Sequence, residues 1–309
     1  MWMNLLTFLI AAAALMILLA IGLYQAFLLV YMRRDNHIDY SFLSGIVKGS
    51  SPDNYYLNYG YWADAPSSLK EANANLAKLL FERCAPAAGS RLLDVGCGFG
   101  RQDLLWLDLL RSKEGKHLSS SITAIDIGTS QIEFATKERK ARNIPESQLN
   151  YIKGDALRLD SLCSDQDTYT HVLSLESAFH YANRPHFFEN VYGVLEDEGR
   201  FVISDIVLED NPSLSSLLFA SLYAHTLAMP RCNLIPAERW KASLREAGFV
   251  IESFEDITDS TFQPYYKHTL LPNRFGQHVP TYVAQSIRSL FTSVQPFRYV
   301  LAVCRKSPT

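Results

Sequence analysis

The residues of this 309-residue chain whose types and spacing could do chemistry begin with Arg91-Leu92-Leu93-Asp94-Val95-Gly96-Cys97-Gly98-Phe99-Gly100, an apolar run ending in three alternating glycines. Glycines let a backbone approach a ligand closely and adopt torsions that a Cβ forbids, and the helical pattern of Arg101 to Leu110 puts a helix N-terminus just beyond. A cofactor belongs at such a turn. Nicotinamide-binding folds share the strand–turn–helix arrangement but carry G-x-G-x-x-G, whereas the spacing here is G-x-G-x-G. The next apolar run ends in Ala124-Ile125-Asp126-Ile127, which places a carboxylate where acids hold the two ribose hydroxyls of a nucleoside. Asp155-Ala156 closes the third run, a further carboxylate on the same rim. Together they point to an adenosyl ligand.

These groups need a scaffold that sets strand ends side by side. Short apolar, β-branched runs recur at Arg91–Val95, Ser121–Ile125, Leu149–Ile152, His171–Leu175, Arg200–Ile206, Phe249–Phe254 and Arg298–Val303. Between most of them lie helix-length segments such as Ser130–Arg142, His186–Leu195 and Ala237–Ala247, and Ser67 to Cys84 has the apolar period of an amphipathic helix. Strands alternating with helices predict βαβ units, hence an α/β fold with a seven-stranded, mostly parallel sheet covered on both faces.

With Asp94 to Gly100, Asp126 and Gly154-Asp155-Ala156 in this order, the chain resembles the Rossmann-like class I S-adenosylmethionine-dependent methyltransferases over about Asn54 to Lys306. The resemblance implies that Asp94, Gly96, Gly98 and Gly100 lie against the methionine part of the donor. Asp126 and Ile127 would take the ribose, Asp155 and Ala156 the adenine, and Gln131 a further nucleoside contact. Leu175-Glu176-Ser177-Ala178-Phe179-His180-Tyr181, Phe201 to Leu208 and Asn58-Tyr59-Gly60-Tyr61-Trp62 are similar to the small-molecule subgroup that includes the rebeccamycin sugar O-methyltransferase and the tocopherol and rifamycin enzymes. That likeness implies His180 and Asp205 as a catalytic pair and Tyr59 as a donor contact. Phe179 stands where the sugar enzyme has the first of two adjacent histidines, a departure that weakens the case for a sugar hydroxyl as acceptor.

A sulfonium is already an activated methyl donor, so a site of this kind must mainly align donor and acceptor and exclude water. For a hydroxyl acceptor, a histidine oriented by a carboxylate can take the proton near neutral pH. The aromatic cluster of Tyr55 to Trp62 predicts a cap that packs on the domain, closes over the donor, or does both. Segment 210–237 is unusually apolar for an inter-strand connection, with Leu214, Leu217, Leu218 and Phe219 close together, and predicts a lid that meets an apolar acceptor or the bilayer. Segment 262–291 predicts a helical insertion of unassigned purpose.

From Leu5 to Tyr31 the chain carries no charge, enough for a helix of roughly 40 Å against a ~30 Å hydrocarbon core. With Arg33 and Arg34 directly after it, residues 1–34 predict a single-pass bilayer anchor with the enzyme facing the cytosol, at the endoplasmic reticulum in a eukaryote. Residues 35–66 then form a linker and cap, and 67–309 the methyltransferase domain. A net charge of −3 without a basic stripe argues against nucleic acid, and five scattered cysteines without metal-ligand spacing argue for free thiols and no metal. The expected reaction is methylation of an oxygen or nitrogen of a small, apolar metabolite. Carbon transfer to a sterol or prenylquinone, headgroup methylation and a tethered donor-binding protein without turnover are the alternatives.

Overall fold

Each apolar run becomes a strand because its side chains alternate between two buried faces. The strands are Arg91–Val95 (β1), Ser121–Asp126 (β2), Leu149–Lys153 (β3), Tyr169–Leu175 (β4), Leu195–Leu208 (β5), Phe249–Asp256 (β6) and Phe297–Lys306 (β7). Leu92, Val202, Ile206 and Leu301 enter one core, while Leu93, Phe201, Ile203 and Val207 enter the other. This period of two is what a sheet covered on both sides requires. The helices are Leu69–Cys84 (α1), Arg101–Glu114 (α2), Thr129–Ala141 (α3), Leu159–Leu162 (α4), Arg184–Val194 (α5), Leu214–Thr226 (α6), Ala237–Glu246 (α7) and Phe262–Thr269 (α8). This computed structural model describes residues 33–34, 37–38, 55–115, 118–162, 168–226, 228–269 and 296–308.

The seven strands run in the order β3-β2-β1-β4-β5-β7-β6, parallel except for β7, which is antiparallel to both its neighbours. The chain winds outward from β1 to β3 and then crosses back to β4. The order therefore reverses between β1 and β4, and a crevice opens there beyond the carboxyl ends of the strands. Local sequence fixes where the helices around it start. Ser68 caps α1 by accepting the Glu71 amide, and Asn183 caps α5 by accepting the His186 amide at 3.2 Å, with Pro185 in its first turn.

The membrane location is corrected. Among the described residues no helix is long and apolar enough to cross a bilayer. Segment 5–31, on which the anchor, its lipid contact and its orientation rested, lies outside the described residues. An apolar run has the length of a span, but length alone does not make one. Around the basic pair, Arg33–Arg34 forms a short antiparallel ladder with His37–Ile38. The lid expectation meets α6 within 210–237, and α8 occupies the start of 262–291, of which 270–291 is outside the described residues. Cys84, Cys97, Cys232 and Cys304 are free thiols, and Cys163 is outside the described residues.

Candidate active site

The turn between β1 and α2 holds Gly96, Gly98 and Gly100 at φ of 87°, 55° and 72°, in the region that L side chains avoid. Space excludes a side chain as well: a Cβ on Gly96 would stand 2.4 Å from the Ser177 Cβ, and one on Gly100 2.3 Å from the Tyr151 hydroxyl. At the end of β2, Asp126 accepts the Gly98 amide on Oδ2 at 2.9 Å and the Gly128 amide on Oδ1 at 2.8 Å. The carboxylate is half-buried and so reaches the surface of the rim. Ile127 beside it is also half-buried. Gln131 is buried in the first turn of α3, where its Oε1 accepts the Ser130 hydroxyl at 2.8 Å. Asp155 accepts the Leu157 amide at 2.9 Å and so caps the turn that starts at buried Ala156. The register of β2 on β3, with Asp126 opposite Lys153, brings Asp126 and Asp155 to one rim.

Beneath the glycine turn lie two fully buried acids, Asp94 and Asp103. Asp94 takes Gln102 Nε2 on Oδ2 at 3.0 Å, and the carboxyls of Asp94 and Asp103 face one another, with Tyr151 also against Asp103. Burial pushes both carboxyls up from the usual range; at Asp103 the Asp94 charge adds to it. A third buried acid, Glu176, ends β4 with φ of +53°, a strained backbone for a residue other than glycine. Its Oε2 accepts the Tyr59 amide at 2.9 Å and the Tyr299 hydroxyl at 2.7 Å, and burial pushes it up to about 8.

These raised acids set a pH dependence. A carboxyl that is neutral when folded and ionised when unfolded binds its extra proton in the native state. The stabilisation is full below the ordinary carboxylate range and is lost as pH rises, for Glu176 through about 8. The melting temperature should therefore fall between pH 6 and 9 in calorimetry, and Glu176→Gln should make that fall shallower. A melting temperature that rises over this interval would contradict the neutral acids.

His180 lies on a single turn, Ala178–His180, fastened to the glycine loop from below. The Ser177 hydroxyl donates to the Val95 carbonyl at 2.9 Å, and the Tyr181 hydroxyl donates to Ser177 Oγ at 3.0 Å. The half-buried imidazole rests on the Phe179 ring, centroids 4.0 Å apart, with Nδ1 3.5 Å from the Ala228 carbonyl. Asp205 is not its partner. Its Oδ2 takes Arg184 Nη1 at 2.7 Å and Trp240 Nε1 at 2.8 Å, its Oδ1 takes the Ile206 amide, and the group is wholly buried. The link to His180 runs through the backbone instead. Arg184 Nη2 donates to the Asn233 carbonyl at 2.8 Å, and Asn233 Nδ2 donates to the carbonyls of Phe179 and Tyr181 at 2.9 and 2.8 Å, on either side of His180.

The aromatic segment lies across this rim. A Cβ on Gly98 would meet Leu57 Cδ1 at 3.0 Å, and the Tyr55 ring lies 6.0 and 4.4 Å from those of Phe99 and Phe134. Leu57 and Tyr55 thus lie against the glycine turn. The Tyr59 ring is surrounded by Phe262, Tyr265, Tyr266 and Tyr299 at centroid distances of 4.7 to 6.4 Å. Glu176, Tyr299, Arg184 and Asn233 were not among the expected site residues. Glu176 repeats the pattern of Asp126 and Asp155, an acid just past a strand, and was detectable on that ground; nothing local marks the other three.

A profile described as mycolic acid cyclopropane synthetase matches residues 53–306, most of the chain and all of the rim. The chain belongs to that family. Its relatives include the erythromycin 3''-O-methyltransferase of Saccharopolyspora erythraea, 29% identical over 255 residues covering 79% of each protein. The 27-O-demethylrifamycin SV methyltransferase of Amycolatopsis mediterranei is 29% identical over 205 residues, 66% of this chain and 70% of that one. In fold, the chain is similar to the geranyl diphosphate C-methyltransferase of Streptomyces coelicolor A3(2) crystallised with S-adenosyl-L-homocysteine: TM-score 0.64 and 17% identity, covering 92% of this chain and 98% of that one. This family member is an S-adenosylmethionine-dependent methyltransferase.

Proposed function

We propose that this methyltransferase acts on an oxygen of a small molecule, with His180 as the group that receives the hydroxyl proton. The observation that carries the reading is the seat of His180. A titratable imidazole is held on a turn bonded to the start of the glycine loop, steadied by Phe179 and by the amide of Asn233. The two curated relatives named above, both methyltransferases of complex natural products and one an O-methyltransferase by name, support an oxygen acceptor. The family's description, a cyclopropane synthetase, favours carbon as the second reading.

The residues present fit the donor. Three glycines give a backbone cradle that a Cβ would fill, and Asp126 stands at its edge, half-buried and bonded to the amides on either side. Gly96, Gly98, Gly100 and Asp94 would hold the methionine part, Asp126 and Ile127 the ribose, and Gln131, Asp155 and Ala156 the nucleoside end. Bound there, S-adenosylmethionine supplies an electrophilic methyl group on sulfur. The chain's own work is to orient, to exclude water with segment 55–66 and the 210–237 lid, and to accept a proton at the His180 imidazole. The apolar side chains of Leu214, Leu217 and Leu218, exposed on α6, agree with an apolar acceptor.

His180→Ala should lower kcat by about 100-fold or more, in the range of lost general-base catalysis, while donor affinity stays within about 3-fold. Rate measurements on saturating acceptor together with donor titration separate the two. An unchanged kcat would remove His180 from the chemistry and leave transfer to carbon as the better reading.

A further inference from the structure

Segment 55–62 is docked on the domain at several points. The Gly60 φ of 80° places it so close to α1 that a Cβ there would stand 2.7 Å from the Ala72 Cβ, and the Tyr61 amide donates to the Ala72 carbonyl at 2.8 Å. Asn73 Nδ2 donates to Asn58 Oδ1 at 3.0 Å, and the Trp62 amide donates to the Ser260 carbonyl at 2.8 Å. Just before these fixings runs the stretch that covers the glycine turn, Leu57 on Gly98 and Tyr55 on Phe99. A bond from Tyr59, two residues past Leu57, to the sheet's carboxyl rim goes to Glu176: its Oε2 takes the Tyr59 amide together with the Tyr299 hydroxyl from β7.

The backbone of Glu176 makes this arrangement costly to keep. A left-handed torsion suits glycine, yet a glutamate holds it, buried and away from water, with its amide bonded to the Ser204 carbonyl at 3.1 Å. Neither burial nor strain favours an acid here unless its carboxyl is needed. We propose that Glu176 is a positioning residue that latches segment 55–62 over the donor cleft, and so sets how slowly the donor and its demethylated product leave. This rests on the reading that the donor lies at the glycine turn. The latch ties the covering segment to two strands of the sheet at once, the end of β4 that leads into the His180 turn and β7. Leu57 lies two residues before Tyr59, so lifting it from the glycine turn to release a donor pulls on the bond to Oε2, which resists the opening.

The test is stopped-flow Trp fluorescence on the full chain, with Trp62 in the covering segment, reading dissociation of S-adenosylhomocysteine. Glu176→Gly removes the carboxyl and suits the left-handed backbone, so the variant is expected to fold; its dissociation rate should rise about 10-fold, the equivalent of one net hydrogen bond. Glu176→Gln keeps an amide oxygen for both donors and should stay within about 3-fold of the natural protein. Tyr299→Phe, which leaves the Tyr59 bond in place, should fall between them. A dissociation rate unchanged in Glu176→Gly, with tight binding that is still sensitive to Asp126→Ala, overturns the latch alone. Binding indifferent to Asp126→Ala overturns the glycine-turn reading, and the latch with it.

Discussion

Asp126→Ala is expected to weaken S-adenosylmethionine binding by at least about 100-fold. The carboxylate serves two purposes at once. It organises the loops on either side of it, taking one amide from the glycine turn at Gly98 and one from the start of α3 at Gly128, and in the proposed reading it also takes the ribose hydroxyls. Hydrogen bonds to a charged group are each worth about 1.5–3 kcal/mol, and the loss of two exceeds the 100-fold mark. Asp126→Asn keeps one oxygen but turns the other into a donor that faces an N–H, so it should lose most of the affinity too. Calorimetric titration checks both variants, and near-natural affinity in Asp126→Ala would move the ribose away from β2.

The second large effect is on folding. Asp205→Ala leaves Arg184, which is 1% exposed, as a buried guanidinium without its counter-ion. Removing one partner of such a pair costs about 3–5 kcal/mol, because the stranded charge stays desolvated. Asp205→Ala should thus lose much of its stability in urea titration, and activity should fall with it. The double variant Asp205→Leu with Arg184→Met removes both charges and should recover a large part of the stability. A stable Asp205→Ala protein with only kcat reduced would instead restore Asp205 as the catalytic partner of His180.

The strands and the acids that follow them were legible because both are local signals. Alternation in Leu92 to Val95 and Phe201 to Val207 reports a strand whatever packs on it, and a carboxylate just past such a run reports the rim. Partnership is not local. Asp205 and His180 lie at the ends of adjacent strands and looked like a pair, but whether an acid faces a histidine depends on what fills the space between, and here Arg184 and Trp240 take the carboxylate. Asn233, whose amide brackets His180, comes from a connection 53 residues further along, and nothing in Arg231-Cys232-Asn233 announces it. The surroundings of Tyr59 were hidden for the same reason. An aromatic near a donor site suggests a face for the sulfonium, yet α8 brings Phe262, Tyr265 and Tyr266 to enclose that ring.

Oxygen as the methyl acceptor is tested most directly by following the carbon itself. The natural protein, incubated with S-adenosylmethionine labelled with carbon-13 in its methyl group and a small-molecule extract of its source, should place the label in a methyl ether, read by NMR; His180→Ala should place far less. Label appearing in a C–CH3 or cyclopropane group, at a rate that His180→Ala leaves unchanged, would contradict both the oxygen acceptor and the role of His180.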